Sequence, residues 1–136
     1  MKFLVDANVL SEATKPQPVE HVIHWLTRNE SDLVVNPIVL GELKYGILLL
    51  SPGKKRTRLL DWFVSGVQHL PVLDFVARTA DIWAELVAAL KRKGHAMSVT
   101  DSLIAATAVE HRLTVATRNT RDFRKAGILV TNPFED

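Results

Sequence analysis

Apolar positions along the chain fall into two patterns, short continuous runs and longer stretches with helical spacing. Phe3-Leu4-Val5, Leu33-Val34-Val35 and Thr114-Val115-Ala116-Thr117 are runs that suit strands buried on both faces of a parallel sheet. Ile128-Leu129-Val130 reads as a last strand, and Leu70-Pro71-Val72-Leu73 as a weak edge strand, because proline lacks a ladder donor. Between them, Val19, Val22, Ile23 and Leu26 repeat at i, i+3, i+4, i+7, so a helix opened by Pro18 has one apolar face. Leu40, Leu43, Ile47 and Leu50 do the same over residues 38 to about 50. Leu59, Leu60, Phe63 and Val67 follow over 54–67, and Val76, Ala80, Trp83, Val87 and Leu90 over 75–93. An alanine-rich helix is expected from 99 to about 111. Shorter helical pieces are expected from 8 to about 14 and around Arg121-Asp122-Phe123.

The punctuation agrees with this division. Asn36-Pro37 supplies an N-cap and a first-turn proline, Ser98 a second cap, and Gly94 a helix stop. Pro16, Pro18 and Ser51-Pro52-Gly53 break the chain elsewhere. Strands alternating with helices imply one α/β domain over residues 1–136, its parallel sheet covered on both faces.

Where strands end, acids appear. Asp6 closes the first strand. Glu42 lies in the second turn of the helix after the second strand, Asp101 in the first turn of the alanine-rich helix, and Asp122 a few residues past the Thr114 strand. In a parallel sheet, strand carboxyl ends and the amino ends of the following helices share one edge, which is where such sheets bind ligands. All four acids can therefore converge on one cleft. Four carboxylates together raise one another's pKa values or demand a cation. All-oxygen ligation favours Mg²⁺ or Mn²⁺, ions that serve phosphodiester cleavage. Each acid also has an ordinary alternative: a helix-start charge for Asp101, a surface position for Glu42, a turn cap for Asp122.

Composition narrows the chemistry. The 136 residues are 47% hydrophobic and 24% charged, ordinary for a globular domain, and no apolar run approaches a membrane span. Met1-Lys2 leads straight into the first strand, so no signal peptide is expected, and a cytoplasmic setting fits. With no cysteine, disulfides, thiolate catalysis and cysteine zinc sites are excluded. A net charge of +2 is too mild to indicate nucleic-acid binding alone, so local clusters matter more. Arg118, Arg121 and Arg124 flank the acidic edge and can hold phosphates, whereas Lys91-Arg92-Lys93 reads as a solvated face. Trp83 continues an apolar stripe, Trp25 and Trp62 can anchor a partner, and His21 and His24 share a helix face without pairing with an acid motif.

Four segments together resemble the PIN-domain ribonucleases, most closely bacterial VapC-type toxins and FitB-like proteins. They are Val5-Asp6-Ala7-Asn8-Val9-Leu10-Ser11-Glu12, Val39-Leu40-Gly41-Glu42-Leu43-Lys44-Tyr45-Gly46, Thr100-Asp101-Ser102-Leu103-Ile104-Ala105-Ala106-Thr107-Ala108, and Ala116-Thr117-Arg118-Asn119-Thr120-Arg121-Asp122-Phe123 with Asn132-Pro133-Phe134. They occur in order and span almost the whole chain. The resemblance implies a three-layer α/β/α fold with a five-stranded parallel sheet and a Mg²⁺- or Mn²⁺-dependent endoribonuclease. Carried onto this sequence, it makes Asp6 and Asp101 the main metal ligands. Glu42 and Asp122 complete an acidic catalytic pocket lined by Asn8 and Thr117. The fourth acid varies in position in that family, and here Asn119 occupies one option and Asp122 the other. The resemblance further implies a homodimer, and a small antitoxin that wraps the toxin, blocks the pocket and carries the complex onto operator DNA.

The sequence also admits two rival readings. One is a non-catalytic domain acting as partner of a DNA-binding regulator. The other is a phosphatase with Asp6 as nucleophile; such families carry Asp-x-Asp, and Asn8 stands where the second acid belongs. No plausible Ser-His pair or glycine-rich phosphate loop supports covalent catalysis.

Overall fold

The computed structural model describes residues 1–135. Four strands form one parallel sheet in the order β2-β1-β3-β4: β1 Phe3–Val5, β2 Leu33–Val34, β3 Thr114–Ala116 and β4 Val130–Thr131. Phe3 pairs with Leu33 on one side and Thr114 on the other, so β1 is central. Side chains alternate between sheet faces, and all three residues of β1 are buried, so helices cover both faces. No helix among the described residues is long and apolar enough to cross a membrane.

The expected five-stranded sheet is corrected to four. Residues 70–73 contribute one parallel bridge, Val35 to Val72. Val35 donates to the Pro71 carbonyl at 3.0 Å and accepts from Leu73 N–H at 2.8 Å. Pro71 has no N–H of its own, so a longer ladder is not available there. The last strand also lies later than its apolar run suggests, at Val130–Thr131, while Ile128 is buried beneath the preceding turn.

The helices are α1 Ala7–Leu10, α2 Glu20–Arg28, α3 Pro37–Leu48, α4 Lys54–Ser65, α5 Ala77–Arg92, α6 Val99–His111 and α7 Thr120–Lys125. The piece expected over 8–14 is α1 followed by a tighter 3₁₀ turn, Ser11–Thr14. Pro18 does not open α2; the helix begins at Glu20 behind Val19. Gly94 does stop α5, with φ +72°, and His95 N–H closes back on the Leu90 carbonyl at 2.9 Å.

Two interior features set where α3 and α6 stand. Asn36 is fully buried; its Oδ1 caps α3 by accepting from Val39 N–H (3.0 Å), and its Nδ2 donates to Thr107 Oγ1 on α6 (3.1 Å). Small buried residues of α6, among them Ser102, Ala105, Ala106 and Ala108, let its neighbours approach closely. Trp25 belongs to this core rather than to a partner surface: it is 7% exposed and meets Phe3 edge-on, ring centroids 4.9 Å apart.

Helix α5 departs from its sequence pattern. Only Thr79 and Leu90 are buried, Val76 and Ala80 are exposed, and Trp83 and Val87 are half-buried. The helix packs chiefly on α6, so much of its apolar stripe has no second layer above it.

Asn36→Ala removes a cap and leaves Thr107 short of a partner. Urea denaturation is expected to show a loss of about 2 kcal/mol, against about 1 kcal/mol for Thr107→Ala, which keeps the cap.

Candidate functional site

The carboxyl edge of the sheet gathers the groups that carry chemistry. Asp6 follows β1 directly and is only 5% exposed. It is also the N-cap of α1: Oδ1 accepts from Ala7 N–H at 2.8 Å. Oδ2 accepts from the Thr117 hydroxyl at 2.8 Å, just beyond β3, the strand beside β1. Asn8 Nδ2 stands 3.4 Å from the same oxygen, while Asn8 Oδ1 accepts from Arg118 N–H at 3.1 Å.

A hydrogen-bonded chain then links Asp6 to Asp101. Thr117 Oγ1 accepts from Asn119 N–H (3.0 Å), and Asn119 Nδ2 donates to Asp101 Oδ2 (3.0 Å). Asp101 sits in the first turn of α6, whose start is fixed by Ser98 Oγ accepting from Asp101 N–H at 3.1 Å. Asn119 thus holds the direct contact with Asp101, and Asp122 acts on it through charge. Glu42 enters from α3, and its buried Oε1 has no hydrogen-bond partner.

The acids sense one another. Burial pushes the Asp6 carboxyl up, against the pull of Thr117, Ala7 and Asn8. Burial, then the charges of Asp6 and Asp101, raise Glu42 to about 7. Asp101 is raised first by burial, then by Asp6 and Asp122, and drawn back by hydrogen bonds to Ser98 and Asn119. The edge is therefore a pocket of electronegative repulsion, short of positive charge. Among the described residues no three His, Asp or Glu side chains form a ready cage for an ion. An Mg²⁺ ion needs none, because it keeps several waters and binds through one or two carboxylates.

The basic residues are placed less uniformly than the sequence suggested. Arg118 is exposed, its guanidinium stacked 4.6 Å from the Phe134 ring centre, with its charge felt by Glu12. Arg121 is exposed, and Arg124 reaches back to Thr120 Oγ1 at 3.4 Å. The tail that carries Phe134 is tied down by His21, whose Nε2 lies 2.6 Å from the Phe134 carbonyl. Neither His21 nor His24 stands in a three-residue acid–histidine group.

One buried acid was not singled out from the sequence. Glu12 is 2% exposed; Lys15 Nζ pairs with Oε1 at 2.9 Å, and Val19 N–H donates to Oε2 at 2.9 Å. The Lys15 hydrogen bond, followed by that from Val19, holds its carboxyl below the usual range. Its i, i+3 spacing to Lys15 was the available signal. Its role is to tie the turn after α1 to the start of α2. A groove of about 280 Å³ runs from Asn8 and Glu42 between α1, α3 and α4 to Leu50 and Trp62, so Trp62 borders an open apolar surface next to the acids.

These shifts have a stability consequence. A carboxyl whose folded pKa lies above its unfolded value stabilises the fold fully at low pH and loses that contribution as pH rises through the folded pKa. For Glu42 the window runs from 4.5 to about 7. Glu42→Gln is therefore expected to melt higher than the parent at pH 8 in chelator, by a few degrees. The gap should close toward pH 4, as thermal melts across the range will show.

The sequence and the fold are shared with known proteins. The PIN domain model matches residues 3–129. Toxin FitB of Neisseria gonorrhoeae (strain ATCC 700825 / FA 1090) is 38% identical, over 98% of this chain and 99% of that protein. VapC ribonuclease Y4jK of Sinorhizobium fredii (strain NBRC 101917 / NGR234) is 35% identical, over 98% of each. The crystal structure of FitAcB from Neisseria gonorrhoeae superposes with a TM-score of 0.92 at 37% identity, covering 98% of this chain and 99% of that one. A strand-end aspartate, a helix-start aspartate and an unpaired glutamate on one parallel-sheet edge thus occur in a chain that belongs to the PIN domain family.

Proposed function

We propose that this protein is an endoribonuclease that uses Mg²⁺ or Mn²⁺, and the toxin half of a toxin–antitoxin pair. The observation that carries the reading is Glu42 Oε1, a buried carboxylate oxygen without a partner, facing an edge where Asp6 and Asp101 already repel it. An all-oxygen donor set of that kind fits a hard divalent cation. Relatives named as a ribonuclease and as a toxin support the reaction and the biological role.

Asp6 and Asp101 would hold the ion. A divalent cation held by them would supply neutralising charge to the scissile phosphate and would favour deprotonation of the attacking water. Asp6 is presented rigidly for that task, since the Ala7 amide and the Thr117 hydroxyl fix one oxygen each. Asn119 orients Asp101 in the same way. Glu42, whose Oε1 has no hydrogen-bond partner, would take up the proton from the attacking water at that atom. Water would attack phosphorus, the bond to the leaving ribose oxygen would break, and that oxygen would take a proton from solvent. Asp122 adds negative charge near Asp101, while Asn8, Arg118 and Arg121 line the approach to the phosphate. Asp6 as a phosphoryl nucleophile fits less well, because Asn8 stands where such families carry the second acid.

The groove from Glu42 to Trp62 is the surface offered to an antitoxin, whose segment would cover both apolar wall and acidic edge. That partner would carry the complex to operator DNA, and a homodimer is the expected state of the toxin.

Purified protein, RNA and Mn²⁺ test the reading. Cleavage is expected with metal and not with chelator. Asp6→Asn and Asp101→Asn should each lower the rate by at least 100-fold, roughly the scale of losing one electrostatic contact to the reacting group. Metal-independent cleavage, or full activity in Asp6→Asn, would falsify it.

A further inference from the structure

A second cavity lies outside the acidic site, beside the start of α6. It measures about 370 Å³ and is lined by Trp83, Val87 and Leu90 of α5, by Met97 of the loop, and by Val99 at the start of α6. Its walls are largely apolar, and Val99 is 67% exposed. Trp83 is held in place: its Nε1–H donates to Ser102 Oγ at 2.9 Å, and that hydroxyl donates to the Val99 carbonyl at 2.6 Å. The indole N–H is therefore spent, and what Trp83 offers the cavity is ring surface. Val99 and Ser102 bracket Asp101 in one helical turn, so cavity and acidic edge are two sides of the same segment.

The rim is basic. Lys91 lines the cavity, and Arg92 and Lys93 continue the last turn of α5. Among the described residues none of the three is paired with a carboxylate. An apolar slot with a fixed aromatic wall and an unpaired cationic lip matches a nucleotide: a base stacks on the ring while its phosphate meets the lysines.

We infer that this cavity is a base-binding subsite for single-stranded RNA, seating one nucleotide of the strand whose scissile phosphate lies at Asp6 and Asp101. The inference rests on the endoribonuclease reading. It assigns sequence preference to the α5–α6 groove, whereas hydrolysis belongs to the acids. Positive charge at 91–93 then fixes the strand, and the shape of the slot selects the base.

The test uses a labelled six-nucleotide single-stranded RNA, in chelator to prevent cleavage, with anisotropy as readout. A parallel set carries one abasic residue at each position in turn. In the parent protein, one abasic position should weaken binding roughly tenfold, the scale of losing one base–aromatic stack. In Trp83→Ala that difference should vanish. Ala96→Trp, at an exposed position on the cavity wall, fills the slot without touching the core and should do the same. Lys91→Ala with Lys93→Ala should weaken every oligomer alike and flatten the salt dependence. Equal binding of all abasic oligomers by the parent, or an unchanged abasic penalty in Ala96→Trp, overturns the inference. So does sedimentation showing that Ala96→Trp splits a dimer, since the groove then belongs to a second copy. Parent protein that cleaves RNA with Mn²⁺ while failing these tests loses the subsite alone; parent protein that neither binds nor cleaves RNA loses the nuclease reading as well.

Discussion

Burial of the Asp6 carboxylate is the constraint to which the rest of the site answers. A charge this enclosed is costly unless donors meet it, and here the Ala7 amide and the Thr117 hydroxyl do so from two separate elements. The first contact starts α1; the second needs β3 in register beside β1, with Val5 opposite Ala116. The same hydroxyl passes the constraint on through Asn119 to Asp101 and so to α6. Strand pairing, two helix starts and two acids are thereby fixed by one run of hydrogen bonds. Glu42 lies outside that run, and its carboxyl is raised first by burial and then by the charges of Asp6 and Asp101.

Stability and function pull in opposite directions here. Packing around α6 is close and apolar, and Asn36 ties it to α3 through both ends of its amide. At the sheet edge a few residues away, like charges crowd and an oxygen goes without a partner. Such local conflict is expected where a ligand, rather than the fold, completes the set of interactions. A bound divalent ion would relieve it and stabilise the native state by mass action.

Much of this was legible in the sequence, for definite reasons. Phe3-Leu4-Val5 followed by Asp6 announces a doubly covered strand ending at a site, because apolar runs and acids have incompatible solvation. Ser98 and Asn36 announce helix starts because their side chains compete for free amides. The expected fifth strand is absent from the sheet because Leu70-Pro71-Val72-Leu73 has strand composition, yet proline limits it to a single bridge. The α5 stripe is only partly covered, because periodicity reports amphipathicity and not what lies opposite. The Asn119 contact with Asp101 and the Arg118 stack on Phe134 join residues whose spacing reveals no mutual distance.

On the proposed reading, Asp6 and Asp101 share a divalent cation across the sheet edge. Calorimetric titration of Mn²⁺ into the isolated protein, the Asp6→Asn variant and the Asp101→Asn variant measures that claim without RNA or a partner. One class of site should saturate in the parent and be lost or weakened at least tenfold in both variants, with all three proteins folded by circular dichroism. Equal Mn²⁺ affinity in parent and variants, or no Mn²⁺ binding by the folded parent, would contradict it.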